Sequence, residues 1–497
     1  MNNGKICISV CAPTADELVN EIIRAEPRAD LIEIRFDCLA EEQLAKAVAA
    51  IREIPARKPL VATYRSPEQG GKRQLTQQQR LHFWGSLGNG FELMDLEEDI
   101  VNSLHCSKII ASHHDHDTVA ADIEDIYSQL AATDAAVIKI AATANDICDA
   151  IPLWKLLYRA RSEDREVIPI AMGNAGKWTR ILGLAHGAFL TYASLGSGKE
   201  TADGQVAAEE LIELYRVKEL DADTRVYGVI GDPITSSRST YLHNPAFAAA
   251  GLNAVFIPLQ VRDLDAFMTR MVLPSTREVE LNFAGFAVTM PHKQAIQRYL
   301  TGIDPIAQAI GAVNTVKIDG EKLAGYNTDA PGFIAPLKQR FPDLKNARVA
   351  VLGSGGAARA VIYALKEEGA DLTVFARDPQ RAEVFATEFN IPLQSLTTVR
   401  CPVSTDVVVN ATPLGMRGPN EDETPLTSNE LSGVRFVYDL VTRADETPLL
   451  REARKAGVDA IGGVEMLIAQ GIKQFEIWTG RDAPADLMRR SVMDRLS

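Results

Sequence analysis

The chain has 497 residues, of which 24% are charged, and its 66 acidic and 52 basic residues give a formal net charge of −14. This length exceeds one ordinary domain and predicts an enzyme-sized chain with about two or three hydrophobic cores. The acidic balance excludes binding to nucleic acid or to an anionic membrane through a general basic field, so neither is an expected partner. An anionic small-molecule substrate must therefore be bound by local arginines.

The cysteines predict a reducing environment. They lie at positions 7, 11, 38, 106, 148 and 401, without a Cys-x-x-Cys pair or a dense framework. This usage predicts reduced thiols in a cytosolic protein. The sequence has neither a signal peptide nor an apolar stretch of about 18 residues. We expect a cytoplasmic protein without a metal site, and the sequence makes no prediction of its oligomeric state.

Short apolar runs recur through the first part of the chain and predict strands. There are eight, at 6–11, 29–36, 59–64, 91–96, 108–112, 136–141, 167–171 and 188–193. The segments between most of them, such as 16–24, 41–51 and 119–130, have the apolar spacing of helices. Because alternating strands and helices pair their strands in parallel, an α/β fold with a (βα)8 TIM barrel is predicted over residues 1–222.

The second predicted strand indicates where the functional groups of the barrel lie. Ile32, Ile34 and Phe36 share one face, while charged side chains that include Glu33 and Arg35 share the other. In a barrel the apolar face packs against the helices, and catalytic groups gather at the carboxyl ends of the strands. The same logic places further side chains at this rim: Arg65, Glu97, His114, Lys139 and Arg180.

Lys139 is the most informative of these residues because it lies in the apolar run 135–142. Burial disfavours the charged form of a lysine, and a neutral amine in a dry pocket can condense with a ketone to form a Schiff base. The alternative is a lysine that extends from a strand end to solvent or pairs with a carboxylate.

An ordered set of motifs resembles type I 3-dehydroquinate dehydratase over roughly residues 1–220: Glu33-Ile34-Arg35, Tyr64-Arg65-Ser66 before Gly70-Gly71, Asp95-Leu96-Glu97, Ser112-His113-His114-Asp115, Ile138-Lys139-Ile140 and Gly204-Gln205. The resemblance implies that Lys139 forms an imine with the substrate ketone and that His114 transfers protons, with Glu97 orienting the imidazole. It also implies a set of substrate-binding residues: Glu33, Arg35, Arg65, Arg180, Thr201 and Gln205.

Two features depart from the pattern of that family. Thr201 stands where the family usually has a serine, which keeps the hydroxyl and adds a methyl group. His113 and His116 flank His114. We favour His114 as the catalytic imidazole because of the Ser-x-His-Asp pattern, and because strand parity places His113 on the other face.

A second domain is expected to begin after the polar stretch 218–224, with a substrate-binding part over 223–330. Further on, the run 347–352 ends in Gly353-Ser354-Gly355-Gly356-Ala357-Ala358 and continues into a helix-like segment at 359–368. Strand, glycine turn and helix are typical of a Rossmann fold, in which a pyrophosphate lies at the amino end of the helix. A Rossmann domain is therefore predicted over 331–460, with C-terminal helices over 461–497 that return to the substrate-binding part.

The residues after the next predicted strand, 371–375, favour NADP(H) as the cofactor. Arg377 stands where an NAD site usually has a carboxylate, and Arg381 follows one helical turn later. Arginine suits a 2′-phosphate, whereas an inward-facing Asp378 would repel it, so NAD stays open as an alternative. The candidate cofactor-binding residues are Gly353, Ser354, Gly355, Gly356, Ala357, Arg377, Arg381, Asn410 and Thr412.

A second ordered set resembles shikimate dehydrogenase over about residues 225–497: Ser237-Arg238-Ser239 before His243-Asn244, Val288-Thr289-Met290-Pro291-His292-Lys293, Gly311-Ala312-Val313-Asn314-Thr315, Asn327-Thr328-Asp329, Asn410-Ala411-Thr412-Pro413, and Met466-Leu467 through Gln470. The resemblance implies that Lys293, beside Asp329, supplies or accepts a proton as hydride moves between the nicotinamide and a ring carbonyl. The implied substrate-binding residues are two serines for a carboxylate and three side chains for ring hydroxyls: Ser237, Ser239, Thr289, Asn314 and Gln470.

Thr442 departs from this second pattern, because it stands where the family commonly has a tyrosine. Its shorter side chain predicts a substrate contact that is lost or bridged by water. The stretch 376–378 also departs from the asparagine-arginine-threonine pattern that is usual at a 2′-phosphate. The structural alternative for this half is that Lys293 and Asp329 form an ordinary ion pair and that the serines cap a helix.

Together the two resemblances imply a bifunctional enzyme of the shikimate pathway. Dehydration of 3-dehydroquinate yields 3-dehydroshikimate, which the second half would reduce to shikimate with NADPH. One alternative is a quinate or shikimate dehydrogenase that uses NAD, although the paired serines favour shikimate because quinate carries an extra hydroxyl near its carboxylate. Another is a non-catalytic sensor, against which the presence of both Lys139 and Lys293 argues.

Overall fold

The computed structural model describes residues 2–54, 58–104, 108–234, 238–396, 405–443 and 445–495, with the backbone alone at 381 and 384. The chain divides into two compact units. The first is formed by Met1–Val226, Gly231–Ser236 and Asn253–Phe283, and the second by Tyr227–Ile230, Ser237–Leu252 and Ala284–Ser497. Among the described residues, no helix has both the length and the apolar character needed to cross a bilayer.

Parallel strands form the sheet of the first unit. They are β1 (Ile6–Val10), β2 (Leu31–Arg35), β3 (Leu60–Thr63), β4 (Leu93–Glu97), β5 (Ile109–Asp115), β6 (Val137–Thr143), β7 (Glu166–Met172) and β8 (Thr191–Ser194), followed by a short β9 (Val206–Ala207). Their order is β7-β6-β5-β4-β3-β2-β1-β8-β9, so the predicted barrel strands are confirmed. The hydrogen-bond ladder does not close between β7 and β8, where the described backbone shows a bond from Phe189 N to Val167 O at 2.9 Å.

Helices connect these strands. They are α1 (Ala15–Ala25), α2 (Leu44–Glu53), α3 (Gln77–Leu87), α4 (Ile123–Ala131), α5 (Ile151–Ser162) and α6 (Lys177–Leu182). The predicted helices are confirmed, although the second starts as a short 3-10 turn at Glu41–Gln43. The first begins where the Thr14 side chain accepts a hydrogen bond from Glu17 N, and it buries Leu18 and Ile22. The helices cover the outer face of the sheet, which leaves the strand ends free to carry polar side chains.

The next segment contributes to both units. Its strands are β10 (Arg225–Gly231), β11 (Ala254–Gln260), β12 (Phe283–Val288), β13 (Gly302–Ile303), β14 (Thr315–Asp319) and β15 (Lys322–Tyr326), and its helices are α7 (Ser239–Ala249), α8 (Leu264–Phe267), α9 (Pro305–Ile310) and α10 (Asp329–Arg340). The strand β11 and the helix α8 belong to the first unit. In the second unit β14 pairs antiparallel with β12 and β15, and β13 pairs parallel with β15.

A parallel sheet follows in the second unit. Its strands are β16 (Arg348–Leu352), β17 (Asp371–Ala376), β18 (Leu393–Ser395), β19 (Val407–Asn410), β20 (Phe436–Asp439) and β21 (Asp459–Gly462), and its helices are α11 (Gly356–Glu367), α12 (Pro379–Phe389) and α13 (Pro448–Lys455). The order β18-β17-β16-β19-β20-β21 is that of a dinucleotide-binding Rossmann fold. The predicted strand, glycine turn and helix are therefore confirmed.

The last two helices are α14 (Gly463–Thr479) and α15 (Ala485–Met493). One face of α14 contacts β14, where Trp478 Nε1 donates to Val316 O at 2.9 Å and Gln474 Nε2 donates to Thr315 Oγ1 at 3.1 Å. Gln470 lies one turn earlier on the same helix face. The helix therefore carries Gln470 to the start of β14 and the start of α10.

The prediction of reduced thiols is wrong for one pair of cysteines. Cys11 and Cys38 form a disulfide, with a Cα–Cα distance of 5.5 Å. The two residues are 27 positions apart, but each follows one of two adjacent parallel strands, β1 and β2. Cys7 and Cys148 are free and buried, and the cysteines at 106 and 401 lie outside the described residues.

Candidate active sites

The carboxyl ends of the barrel strands surround a cavity in the first unit. Nearly all the residues predicted for the first site line it: Glu33, Arg35, Arg65, His114, Lys139, Arg180, Thr201 and Gln205. The alternation on β2 therefore directs Glu33 and Arg35 inward, as strand parity predicts. Glu97 is the predicted residue that does not line the cavity.

Lys139 is buried on β6 and is ion-paired. Its Nζ donates to Asp95 Oδ2 at 2.8 Å, and Glu33 Oε1 lies 3.9 Å away. Lys139 is therefore both buried, as the first interpretation expects, and paired with a carboxylate, as the alternative expects. Asp95 is shared with Arg65, whose Nη2 donates to it at 2.9 Å. Burial favours a higher pKa for Asp95, but Arg65 and Lys139 outweigh it and hold that pKa well below its usual range.

His114, on β5, is held by an amide. Its Nδ1 lies 3.0 Å from Gln69 Oε1 and 3.2 Å from Arg65 Nη1. Gln69 Oε1 also accepts from the His114 backbone N–H at 3.1 Å, so we assign the ring proton to Nδ1, which leaves the Nε2 lone pair free. Burial lowers the pKa of His114 well below its usual value, and Arg65 and Lys139 lower it further. The imidazole is therefore neutral, as a general base must be.

Glu97 does not contact His114 among the described residues, which corrects its predicted role. One carboxylate oxygen of Glu97 accepts from Ser66 N at 2.9 Å and faces Arg65 Nη1 at 3.5 Å. The other accepts from Arg80 Nη1 at 2.5 Å. Glu97 is the last residue of β4, and Arg80 of α3 holds its side chain. Glu97 therefore orients the Ser66 backbone and the Arg65 guanidinium after β3, and not the imidazole.

Arg180 is a buried cation without a carboxylate partner in the described structure. Its exposed fraction is 3%, and its Nε has no hydrogen-bond partner among the described residues. Burial lowers the pKa of Arg180 to about 10. An uncompensated buried charge is costly, so this side chain is suited to an anionic ligand. Gln205 Oε1 accepts from Thr201 N at 2.8 Å, which holds these two predicted substrate-binding residues together.

Sequence reasoning missed the side chains that hold the charged pocket in place. Asp37 accepts from Arg35 Nε and Nη2 at 2.8 Å each. Ser9 Oγ donates to one oxygen of Glu33 at 2.5 Å, and Thr63 Oγ1 donates to the other at 2.8 Å. Gln69 was missed as well, and Asp95 was quoted in a motif without a role. A signal was present for Asp37, which continues the charged face of β2, and for Gln69, which lies in the rim loop after Arg65.

The second site is centred on a lysine in the second unit. Lys293 Nζ donates to Asp329 Oδ2 at 2.6 Å, and Asn314 Nδ2 donates to the other oxygen of Asp329 at 2.8 Å. The second N–H of Asn314 is donated to Thr328 Oγ1 at 2.9 Å. Asn314 therefore orients Asp329 in this structure and offers no free donor for a ring hydroxyl, which differs from its predicted role.

The other residues predicted for this site lie at nearby element ends. Gln470 Oε1 accepts from Thr328 Oγ1 at 3.4 Å. Thr289 is half-buried after β12, Ser239 is buried at the start of α7, and Thr442 is half-buried after β20. Ser237 lies outside the described residues.

The turn after β16 fits a dinucleotide. Gly353 has φ +108°, and a Cβ there would lie 2.8 Å from Ala411 O, so glycine is needed. A Cβ at Gly355 would meet open space, and α11 begins at Gly356 without a side-chain cap. An uncapped helix start of this length suits a pyrophosphate. The exposed Arg377 directly follows β17 and suits a 2′-phosphate, while the Arg381 side chain lies outside the described residues.

Asn410 and Thr412 stabilise the loop after β19, which lies beside the nucleotide-binding turn. Asn410 is fully buried, and its Nδ2 donates to Asp439 Oδ1 at 2.9 Å and to Leu414 O at 3.3 Å. Its Oδ1 accepts from Thr412 N at 3.0 Å and from Thr412 Oγ1 at 2.6 Å. Both predicted cofactor residues are thus occupied in shaping the loop after β19, and Asn410 has no free polar group for a cofactor.

The two parts of the second unit meet at Lys293. A Cβ built on Gly356 would lie 3.7 Å from Lys293 Cδ. The lysine beside Asp329 therefore lies next to the start of α11, where a dinucleotide fits. A lysine paired with a carboxylate beside a turn that fits a dinucleotide is the arrangement of an oxidoreductase site, and the barrel cavity is a lysine-centred pocket whose buried Arg180 suits an anionic ligand.

Comparison with known families agrees with this division. Residues 6–222 match Type I 3-dehydroquinase, 229–316 match the shikimate dehydrogenase substrate binding domain, 336–415 match Shikimate / quinate 5-dehydrogenase, and 463–493 match the Shikimate 5′-dehydrogenase C-terminal domain. The chain is 34% identical to the bifunctional 3-dehydroquinate dehydratase/shikimate dehydrogenase, chloroplastic, of Arabidopsis thaliana, over 98% of this chain and 84% of that protein. The chain belongs to this family of bifunctional proteins.

Two further comparisons concern the second half. The shikimate dehydrogenase (NADP(+)) of Methanopyrus kandleri is 40% identical over 56% of this chain and 98% of its own length. A crystal structure of a shikimate dehydrogenase in complex with NADP+ matches with a TM-score of 0.52 and 35% identity, and covers 56% of this chain and 98% of its own.

Proposed function

We propose that this chain dehydrates 3-dehydroquinate to 3-dehydroshikimate in its barrel and reduces that product to shikimate with NADPH in its second half. The observation that carries the proposal is the barrel cavity, in which the buried amine of Lys139, the imidazole of His114 and the uncompensated cation of Arg180 meet. This set matches a substrate with a ketone, a leaving hydroxyl and a carboxylate. A relative that bears both activities in its name aligns with nearly the whole chain.

In the barrel, Lys139 leaves its ion pair with Asp95 and attacks the ketone carbon as a neutral amine, and the proton that its ammonium gives up leaves with the ketone oxygen in the released water. Condensation forms an iminium and releases water, and the iminium acidifies the neighbouring carbon. His114 Nε2 removes a proton from that carbon and then returns it to the departing hydroxyl, which leaves as water. Arg180 binds the substrate carboxylate in a bidentate contact. Hydrolysis of the imine regenerates Lys139.

In the second half, Lys293 delivers the proton that the ring carbonyl oxygen needs when the carbonyl is reduced. The Lys293 Nζ is held by Asp329, and Asn314 fixes the orientation of that carboxylate. NADPH, when bound at the turn after β16, supplies the hydride. Ser237, Ser239, Thr289, Gln470 and Thr442 would hold the substrate carboxylate and hydroxyls, and Arg377 and Arg381 would hold the 2′-phosphate.

We also propose domain limits and a location for this chain. We assign 1–222 to the dehydratase, 223–330 to the substrate-binding domain, 331–460 to the NADP-binding domain and 461–497 to the C-terminal helices. A cytoplasmic location fits the use of NADPH, a charged nucleotide that cells keep inside. Fractionation of cells that express the chain tests this location.

The Schiff base has a direct test. Borohydride added with 3-dehydroquinate should reduce the imine and leave a substrate-derived mass on the peptide that contains Lys139. Lys139→Arg keeps the positive charge beside Asp95 but cannot form the imine, so it should trap nothing while shikimate dehydrogenase turnover is unchanged. No adduct in the wild-type chain, or an adduct on another lysine, would contradict the proposed mechanism.

A further inference from the structure

The ring of Tyr192 lies against the nitrogen of Lys139 in the barrel cavity. Lys139 Nζ is 4.3 Å from the centroid of the ring, and both side chains line the cavity. Tyr192 lies on β8, and 3% of it is exposed, against 5% for Lys139. A cation at this distance is attracted to the face of a ring, and the attraction grows where water is excluded.

The barrel interior, not the hydroxyl, holds this ring in place. Tyr192 belongs to an apolar cluster with Cys7, Leu31 and Ile168, and it is in register with Cys7 on β1. Its buried hydroxyl has no hydrogen-bond partner among the described residues. Removal of the hydroxyl therefore breaks no hydrogen bond within the described structure.

Imine formation removes N–H groups from the Lys139 nitrogen. The charged nitrogen therefore needs a partner that attracts it without accepting a hydrogen bond. As an ammonium the nitrogen donates to Asp95, whose charge is shared with Arg65. Condensation of the amine with a ketone and one proton forms a C=N bond, releases water and leaves a cation with a single N–H. The nitrogen thus loses donors while it is charged, whereas its attraction to a ring face is retained.

We propose that Tyr192 is a positioning residue of the dehydratase, whose ring face stabilises the charged nitrogen of Lys139 more after the imine forms than before, because the iminium has fewer N–H groups to donate to Asp95 than the ammonium has. The inference rests on the proposed Schiff-base function of Lys139. It assigns the effect to the ring and none of it to the hydroxyl. The full strength of a desolvated contact of this kind corresponds to about 30-fold in an equilibrium, which is the upper limit for the change in the amount of iminium because the ammonium also lies over the ring.

The test changes the electron density of the ring and leaves its shape almost unchanged. In the full-length chain, Tyr192 is replaced by phenylalanine and by phenylalanines with an increasing number of ring fluorines, which weaken the attraction for a cation. Each variant is mixed with 3-dehydroquinate and borohydride, and mass spectrometry gives the fraction of Lys139 that is trapped. We expect Tyr192→Phe to match the wild type within about twofold, and the trapped fraction to fall stepwise along the fluorinated series, by up to about 30-fold.

Two controls separate this effect from packing. Quinate carries an alcohol where 3-dehydroquinate carries the ketone, so it cannot form the imine, and its inhibition constant for the dehydratase should stay constant across the series. The same replacements at Tyr127 alter another buried ring, which binds the Arg159 guanidinium at 4.7 Å. They should leave the trapped fraction of Lys139 unchanged.

A trapped fraction that stays level along the fluorinated series would overturn the role of the ring. So would a quinate inhibition constant that rises in parallel with the loss of trapping, because the pocket itself would then have changed. A wild-type chain that traps no adduct would overturn the Schiff-base function instead, so the two failures are distinguishable.

Discussion

A single neighbour, Gln69, determines the orientation of the His114 imidazole. Gln69 accepts from both the ring and the backbone of His114, and it does so with a neutral amide. The charged groups around the ring, Arg65, Lys139 and Arg35, are cations that lower the pKa of His114 beyond the effect of burial. The amide therefore orients the ring without opposing these cations.

Exchange of the amide for a carboxylate should raise the pKa of His114. In Gln69→Glu the negative charge would stabilise the imidazolium, so the acid limb of the dehydratase pH profile should move up by about one unit. Gln69→Leu should lower kcat about tenfold or more, because the ring is no longer oriented. Both profiles are measured with 3-dehydroquinate, and the shikimate dehydrogenase activity of the same chain is the control. An acid limb that does not move in Gln69→Glu would contradict the contact.

The sequence predicts residues on strands better than their partners on loops. Strand parity places Glu33, Arg35 and Lys139 in the cavity, because side-chain direction alternates at a fixed period. Parity does not reveal whether Glu97 or Gln69 reaches the imidazole, since that depends on the path of the loop after β3. The sequence also does not reveal that the side-chain amides of Asn314 and Asn410 donate to other residues of the protein.

At the scale of elements, the glycine turn between β16 and α11 joins strand, helix and cofactor. Gly353 has a positive φ that other residues adopt at a cost, and a side chain there would meet Ala411 O. The turn leaves the first N–H groups of α11 free of a side-chain cap. This backbone shape, and not a particular side chain, would hold the pyrophosphate.

Gly353→Ala should therefore damage the second activity alone. The methyl group displaces the loop after β19, and we expect the KM for NADPH to rise about tenfold or more. Gly369→Ala, which also changes a glycine with positive φ but lies in the turn before β17, is the matched control and should leave that KM unchanged. Dehydratase turnover should be the same in both variants, and loss of both activities in a folded Gly353→Ala chain would contradict the assignment.

At the scale of the whole molecule, the strand pattern predicts the two parallel-sheet folds, a barrel and a Rossmann domain, because alternating strands and helices restrict the possible topologies. The Cys11–Cys38 disulfide could not be predicted from spacing, since it depends on which loops follow neighbouring strands. The mixed sheet of β12 to β15 was not predicted either, because it combines the β14–β15 hairpin with pairs of short strands that are farther apart in the sequence.

Buried histidines predict a loss of stability in acid. Burial lowers the pKa of His186 to about 4 and that of His243 to about 3, the latter partly offset by Gln474. An unfolded histidine binds a proton below about pH 6.5, whereas these stay neutral, so stability is full above that pH and falls below it. The slope is about 1.4 kcal/mol per pH unit for each histidine.

His243→Gln should reduce this slope for the second unit, while substitution of the exposed His82 should not. Urea unfolding at about pH 7 and at about pH 5 gives the free energy of unfolding for each variant. Equal acid sensitivity in the wild type and in His243→Gln would contradict a neutral buried His243.

The central claim is that one chain holds two independent active sites that act in sequence, and NADPH oxidation started with 3-dehydroquinate tests it most directly. The wild-type chain should oxidise NADPH. Lys139→Ala and Lys293→Ala should each abolish the signal, and a mixture of the two variants should restore it through the released 3-dehydroshikimate. A wild-type chain that reduces added 3-dehydroshikimate but oxidises no NADPH from 3-dehydroquinate would contradict the account.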